Sequence, residues 1–154
     1  MTHTSNRPNT DDVRIIETKE LVTPAQVAKE FPATDTAVQT TYAARQAIHR
    51  VLHGADDRLL VVIGPCSIHD HDLAMDYAKR LVKEAEKHAA DLIVVMRVYF
   101  EKPRTTVGWK GLINDPRLDG SYAINDGIRL ARRILLEIND MGLPCATEFL
   151  DTIT

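Results

Sequence analysis

Apolar residues enter the chain late and then in blocks. Residues 1–12 are polar and carry no apolar run, which predicts a segment outside the core. Asp11-Asp12-Val13-Arg14-Ile15-Ile16-Glu17 alternates at Val13 and Ile15 and reads as a short extended arm. Thr23, Pro24 and Gln26 fit the N-cap, first-turn and capping-box positions of a short helix reaching about Lys29 and stopping before Pro32. Thr34 or Asp35 caps a longer helix to about His53, with Ala37, Thr41, Ala44, Ile48, Val51 and Leu52 near one face and Gly54 as its stop.

From Arg58 the pattern changes. Leu59–Ile63 is continuously apolar, as expected of a strand covered on both faces. A helix follows from about His71 to Ala89, its buried stripe made by Ala74, Tyr77, Ala78, Leu81, Val82 and Ala85. Leu92–Val98 is a second strand. Residues 99–120 lack periodicity and form a long connection of the kind that is usually functional or disordered. A helix over Ile124–Asp140 turns Ile124, Ile128, Ala131, Leu135 and Ile138 inward and ends at Gly142. Pro144–Leu150 is a third strand. The fold class is therefore α/β: an N-terminal arm and helices over residues 1–57, then a βαβαβ unit over 58–154. Such alternation implies a parallel sheet with right-handed crossovers. No strand is followed by a dinucleotide or Walker fingerprint, which argues against a nucleotide-binding doubly wound fold.

A net charge of −3 offers no overall attraction to nucleic acid or an anionic membrane, so neither is expected as a partner. No apolar run approaches the ~20 residues that span a bilayer, and the N-terminus lacks a secretory h-region. The two cysteines, Cys66 and Cys145, make no disulfide framework, so reduced thiols and a cytoplasmic location are expected.

The charge that matters is local. Arg97, Lys102, Arg104 and Lys110 fall close together with Thr105 and Thr106, against a single anion, Glu101. Cations and hydroxyls at the end of a buried strand suit a phosphate or carboxylate ligand; a solvated basic loop is the alternative. Parallel α/β proteins bind ligands at the C-terminal ends of their strands. Cys66 follows the first strand, the cations follow the second, and Glu148 lies near the end of the third, so all three are expected on one rim. Cys66 is either a small buried residue or a thiolate able to ligate a transition metal. Cys145 reads as core and Trp109 as loop packing.

Two stretches carry a resemblance. Gly64-Pro-Cys-Ser-Ile-His-Asp70 and Lys102-Pro-Arg-Thr-Thr-Val-Gly-Trp-Lys-Gly111 resemble the type I microbial 3-deoxy-D-arabino-heptulosonate 7-phosphate (DAHP) synthases, over about Asp11–Thr154. The resemblance implies the first part of a (β/α)₈ barrel, and a metal-dependent condensation of phosphoenolpyruvate with erythrose 4-phosphate to DAHP and phosphate. It assigns Arg97 to phosphoenolpyruvate and Lys102 to a place between both substrates. It gives Arg104 and Thr105 to the erythrose 4-phosphate phosphate, with Lys110 serving the same electrostatic purpose. Cys66 becomes one ligand of a divalent ion of the Mn, Fe, Zn or Co type. Glu148 matches a rim acid, or else a carboxylate that holds Arg97 or Lys102 in place. Asp11 and Asp12 match an arm that packs on a neighbouring subunit of a homo-oligomer and helps form a feedback site for an aromatic amino acid. By themselves they read as a solvated pair.

A closed barrel takes ~250 residues, more than the 154 here, and the family's other metal ligands come from later strands. A partial chain, inactive alone, is therefore expected. Two other readings stand beside it: a non-catalytic module that keeps oligomerisation or aromatic amino acid binding, and a related 3-deoxy-octulosonate 8-phosphate synthase. The Lys-Pro-Arg-Thr-Thr loop and the long N-terminal extension weigh against the second.

Overall fold

The computed structural model describes residues 10–15, 17–103 and 107–150. Helix α1 spans Pro24–Glu30 and α2 spans Asp35–Leu52. Strand β1 (Leu59–Ile63) leads into α3 (His71–Lys87), β2 (Leu92–Arg97), α4 (Ile124–Asp140) and β3 (Cys145–Ala146). The strands form one parallel sheet in the order β1-β2-β3, with Leu59 beside Leu92 and Met96 beside Cys145.

Local chemistry explains the helix ends. The Thr23 and Thr34 hydroxyls accept the Gln26 and Ala37 N–H groups, and the Asp70 carboxylate accepts that of Leu73. The expected capping box at α1 is only half formed, because the Gln26 amide donates forward to Glu30 at 3.0 Å. Gly54 and Gly142 follow α2 and α4 with φ of +71° and +80°, the left-handed region where glycine carries no Cβ penalty.

The core lies between the sheet, α3 and α4. Met96 and Val98 meet Ala74, Met75 and Ala78 of α3 and Ala131, Ile134 and Ile138 of α4. Helix α2 packs on α4 and reaches β1 and β2. Its Thr41 hydroxyl donates to Asn139, and Thr34 bonds to Asp140. Among the described residues no helix is long and apolar enough to cross a membrane.

Four expectations change. Residues 11–14 make a turn instead of an extended arm: Asp12 has φ of +53° and its carbonyl accepts the Ile15 N–H at 3.0 Å. Aspartate tolerates that conformation better than most residues. Among the described residues strand β1 is an edge strand, paired on one side only, and Leu59, Val62 and Ile63 are 64%, 49% and 45% exposed. The inward face of α4 is Gly127, Ala131, Ile134 and Ile138, which leaves Ile128 and Leu135 half-buried. Gly127 sets that rotation, since a Cβ there would lie 2.1 Å from the Ile113 carbonyl oxygen. Finally, β3 has two residues, not seven. Its last ladder bond runs from Val98 N–H to the Ala146 carbonyl, after which β2 gives way to a loop that offers no partner strand.

Candidate functional site

The ends of β1 and β2 meet, as the sequence leads one to expect. The turn after β1 is pressed onto the end of β2. A Cβ on Gly64 would lie 2.3 Å from the Arg97 carbonyl oxygen, so only glycine permits the approach. The Ile68 N–H then donates to the Tyr99 carbonyl at 2.7 Å, which fixes the turn against the exit of β2.

That approach places Cys66 among cations. The Lys102 ammonium donates to the Cys66 sulfur at 3.1 Å. The Arg97 guanidinium donates to the Pro65 carbonyl at 3.2 Å and stacks 3.9 Å from the centre of the Tyr99 ring. The Lys102 hydrogen bond, helped by the charges of Lys102 and Arg97, holds the exposed Cys66 thiol below its ordinary pKa. A thiolate beside an ammonium is the reactive, ligating form of cysteine. Cys145 is the opposite case, pushed up to about 12 by burial.

The cation loop is an ordered hairpin at its base. Glu101 bridges Gly111 in antiparallel fashion, Lys102 N–H donates to the Lys110 carbonyl at 2.9 Å, and Leu112 N–H to that of Phe100 at 2.7 Å. Gly111, at φ of +116°, packs where a Cβ would lie 2.1 Å from the Phe100 oxygen. Trp109 packs against the core and its indole donates to the Asp115 carbonyl at 2.8 Å, the packing role expected of it.

Cys66, Arg97 and Lys102 thus come together, and half-buried Lys110 lies across the hairpin from Lys102. Arg104 and Thr105 fall outside the described residues. Glu148 is exposed and has no hydrogen bond or ion pair among the described residues, so neither Arg97 nor Lys102 is held by it there. Asp11 and Asp12 occupy the exposed N-terminal turn. Sequence reasoning missed two groups. The Tyr99 ring stacks against the Arg97 guanidinium. Glu101 is 5% exposed and accepts the Leu150 N–H at 3.0 Å. Its signal was present, since it is the single anion among four cations.

Among the described residues no group of three or more His, Cys, Asp or Glu side chains could hold a metal ion. Cys66 is one suitable donor, and these residues do not by themselves complete a metal site.

A model of the DAHP synthetase I family matches residues 25–154. A Phe-sensitive phospho-2-dehydro-3-deoxyheptonate aldolase of Escherichia coli (strain K12) is 62% identical over 144 residues, which are 94% of this chain and 41% of the relative. A Trp-sensitive one from Salmonella typhi is 53% identical over 145 residues, 94% of this chain and 42% of the relative. A solved phospho-2-dehydro-3-deoxyheptonate aldolase from Francisella tularensis SCHU S4 superposes with a TM-score of 0.86 at 51% identity, over 89% of this chain and 40% of the other. The chain therefore spans about 41% of the length of the first of these relatives.

Proposed function

The chain belongs to the DAHP synthetase I family, and from that premise we propose that the protein acts in condensing phosphoenolpyruvate with erythrose 4-phosphate to DAHP and phosphate. One observation carries the reading on the structural side: Lys102, Arg97 and Cys66 meet at the strand ends, with the ammonium 3.1 Å from the sulfur. Two anionic substrates repel each other, and cations fixed in advance offset that repulsion and orient the reacting carbons. Arg97, braced by Tyr99 and Pro65, holds phosphoenolpyruvate in this reading. Lys102 donates to both substrates. Arg104 and Thr105, with Lys110, take the phosphate of erythrose 4-phosphate, and Glu148 is the rim acid. Cys66 is the donor this stretch contributes to a divalent ion, and the Lys102 hydrogen bond lowers its pKa toward the thiolate form a metal requires.

The βαβαβ unit is proposed as the opening of a (β/α)₈ barrel, with residues 58–154 in the catalytic domain. The unpaired edge of β1 and an open groove lined by Val38, Tyr42, Val95 and Phe149 support further strands and helices there. Residues 1–57 are proposed as the regulatory and oligomerisation extension of a homo-oligomer. In it Asp11 and Asp12 would serve an aromatic amino acid effector, as the Phe-sensitive and Trp-sensitive names of the relatives suggest.

The test is to incubate the protein at its full encoded length with both substrates and Mn²⁺, Fe²⁺, Zn²⁺ or Co²⁺ in turn, and to follow phosphate release and DAHP together. Stoichiometric appearance of both supports the reading. Failure to form DAHP with every ion would overturn it.

A further inference from the structure

Beyond β3 the chain loses its ladder. Among the described residues, 147–150 make one hydrogen bond: the Leu150 N–H donates to Glu101 Oε2 at 3.0 Å, across 49 positions of sequence. Phe149 is 78% exposed, so packing gives the segment little purchase. Glu148 lies two residues before that anchor. Lys102 lies one residue after Glu101, in a hairpin whose backbone is held at Phe100, Lys102, Lys110 and Leu112. A side chain on the hydrogen-bonded base of the hairpin therefore grips the backbone of a segment that no other hydrogen bond among the described residues holds.

The grip is chemically selective. Glu101 is 5% exposed, and a carboxylate taken out of water is costly unless its oxygens accept hydrogen bonds. Spending one of them on a distant backbone N–H fixes where the chain goes after β3. We infer that Glu101 is a positioning residue. Through the Leu150 amide it holds the exit of β3, and with it Glu148, at a set distance from Lys102. It touches no reacting atom itself. The inference deepens the proposed function, since the importance of Glu148 rests on that reading; the hydrogen bond can be tested without it.

Amide hydrogen exchange on the chain, read residue by residue by NMR, is the experiment. In the unsubstituted protein the Leu150 amide should exchange at least ~10-fold more slowly than those of Glu148 and Phe149. Glu101→Ala should remove that protection while amides of α3 and β2 keep theirs. Glu101→Gln should restore most of it, because the amide oxygen still accepts. The pH profile of Cys66 alkylation should stay the same in both variants, since the hairpin that carries Lys102 keeps its backbone bonds. An unprotected Leu150 in the starting protein overturns the inference even if the alanine variant fails to fold. It is also overturned if Gln behaves as Ala does, if protection falls everywhere alike, or if the Cys66 profile moves with Glu101. A protein that makes no DAHP but passes these tests would sink the catalytic reading and leave the tether standing.

Discussion

The Lys102 ammonium lies 3.1 Å from the Cys66 sulfur, although 36 positions of sequence separate them. The contact joins the turn after β1 to the hairpin after β2. It exists because Gly64 lets the first strand end pass close under the Arg97 carbonyl. Charge and backbone shape therefore act together at this point of the rim.

Replacing Lys102 by Met should raise the Cys66 pKa back toward the ordinary thiol value. Its hydrogen bond is the leading cause of the lowered pKa, and Arg97 contributes less. Alkylation of Cys66 by iodoacetamide near neutral pH should slow several-fold, with the rate profile displaced to higher pH. Lys102→Arg should keep much of the effect, since the charge remains. If the proposed reaction holds, Lys102→Met should cost roughly 10² or more in kcat, the scale for losing a charge-stabilising donor.

Gly64→Ala should be poorly tolerated. The added Cβ would sit 2.3 Å from a backbone oxygen and 3.0 Å from the Arg97 Cβ, so no side-chain rotation relieves it. The strands must part, at a cost of about 1–3 kcal/mol by the scale of overpacked cores. Urea denaturation should show that loss. The same variant should weaken the Lys102 effect on Cys66, because the turn carrying the thiol is displaced.

Much of this arrangement is legible in the sequence. The α4 boundaries follow from its apolar spacing and from Gly142, and the meeting of Cys66 with Arg97 and Lys102 follows from the rule that parallel strand ends share a rim. What was not legible depends on contacts distant in sequence. The rotation of α4 is set by Gly127 against the Ile113 carbonyl, a meeting that periodicity does not encode. The early end of β3 depends on where β2 ceases to offer a partner, at Val98. Glu101 turns inward because its backbone bridges Gly111, and no local pattern marks that register.

Asn125 should matter more than an exposed helix-start residue normally does. Its side-chain oxygen accepts the Val22 N–H at 2.8 Å and its amide donates to the Glu20 carbonyl at 3.0 Å, imitating one rung of a sheet. Asn125→Ala should leave both groups without that partner and lower stability by about 1–2 kcal/mol. Limited proteolysis should then speed up within residues 17–22 first. Asn125→Asp keeps the acceptor and loses the donor, so it should fall between the two.

His71 should make part of the stability pH-dependent. Its Nδ1 lies 2.8 Å from Asp72 Oδ1 and its Nε2 2.6 Å from Glu137 Oε2, so α3 is joined to α4 through the ring. A neutral imidazole has one N–H, and two carboxylate contacts favour the doubly protonated ring. The Asp72 hydrogen bond, then that of Glu137, raises the His71 pKa, while partial burial and the nearby Arg133 oppose the rise. A raised folded-state pKa contributes fully below the unfolded value of ~6.5 and is lost as pH climbs through the higher folded value. His71→Asn should therefore cost up to about 1 kcal/mol near pH ~6 and progressively less in alkali. Glu137→Gln should flatten the same dependence, because it removes the contact that reaches α4. Denaturation midpoints for the three proteins, taken across pH, check this. A His71→Asn penalty that stays constant or grows with rising pH would show that the ring is held neutral.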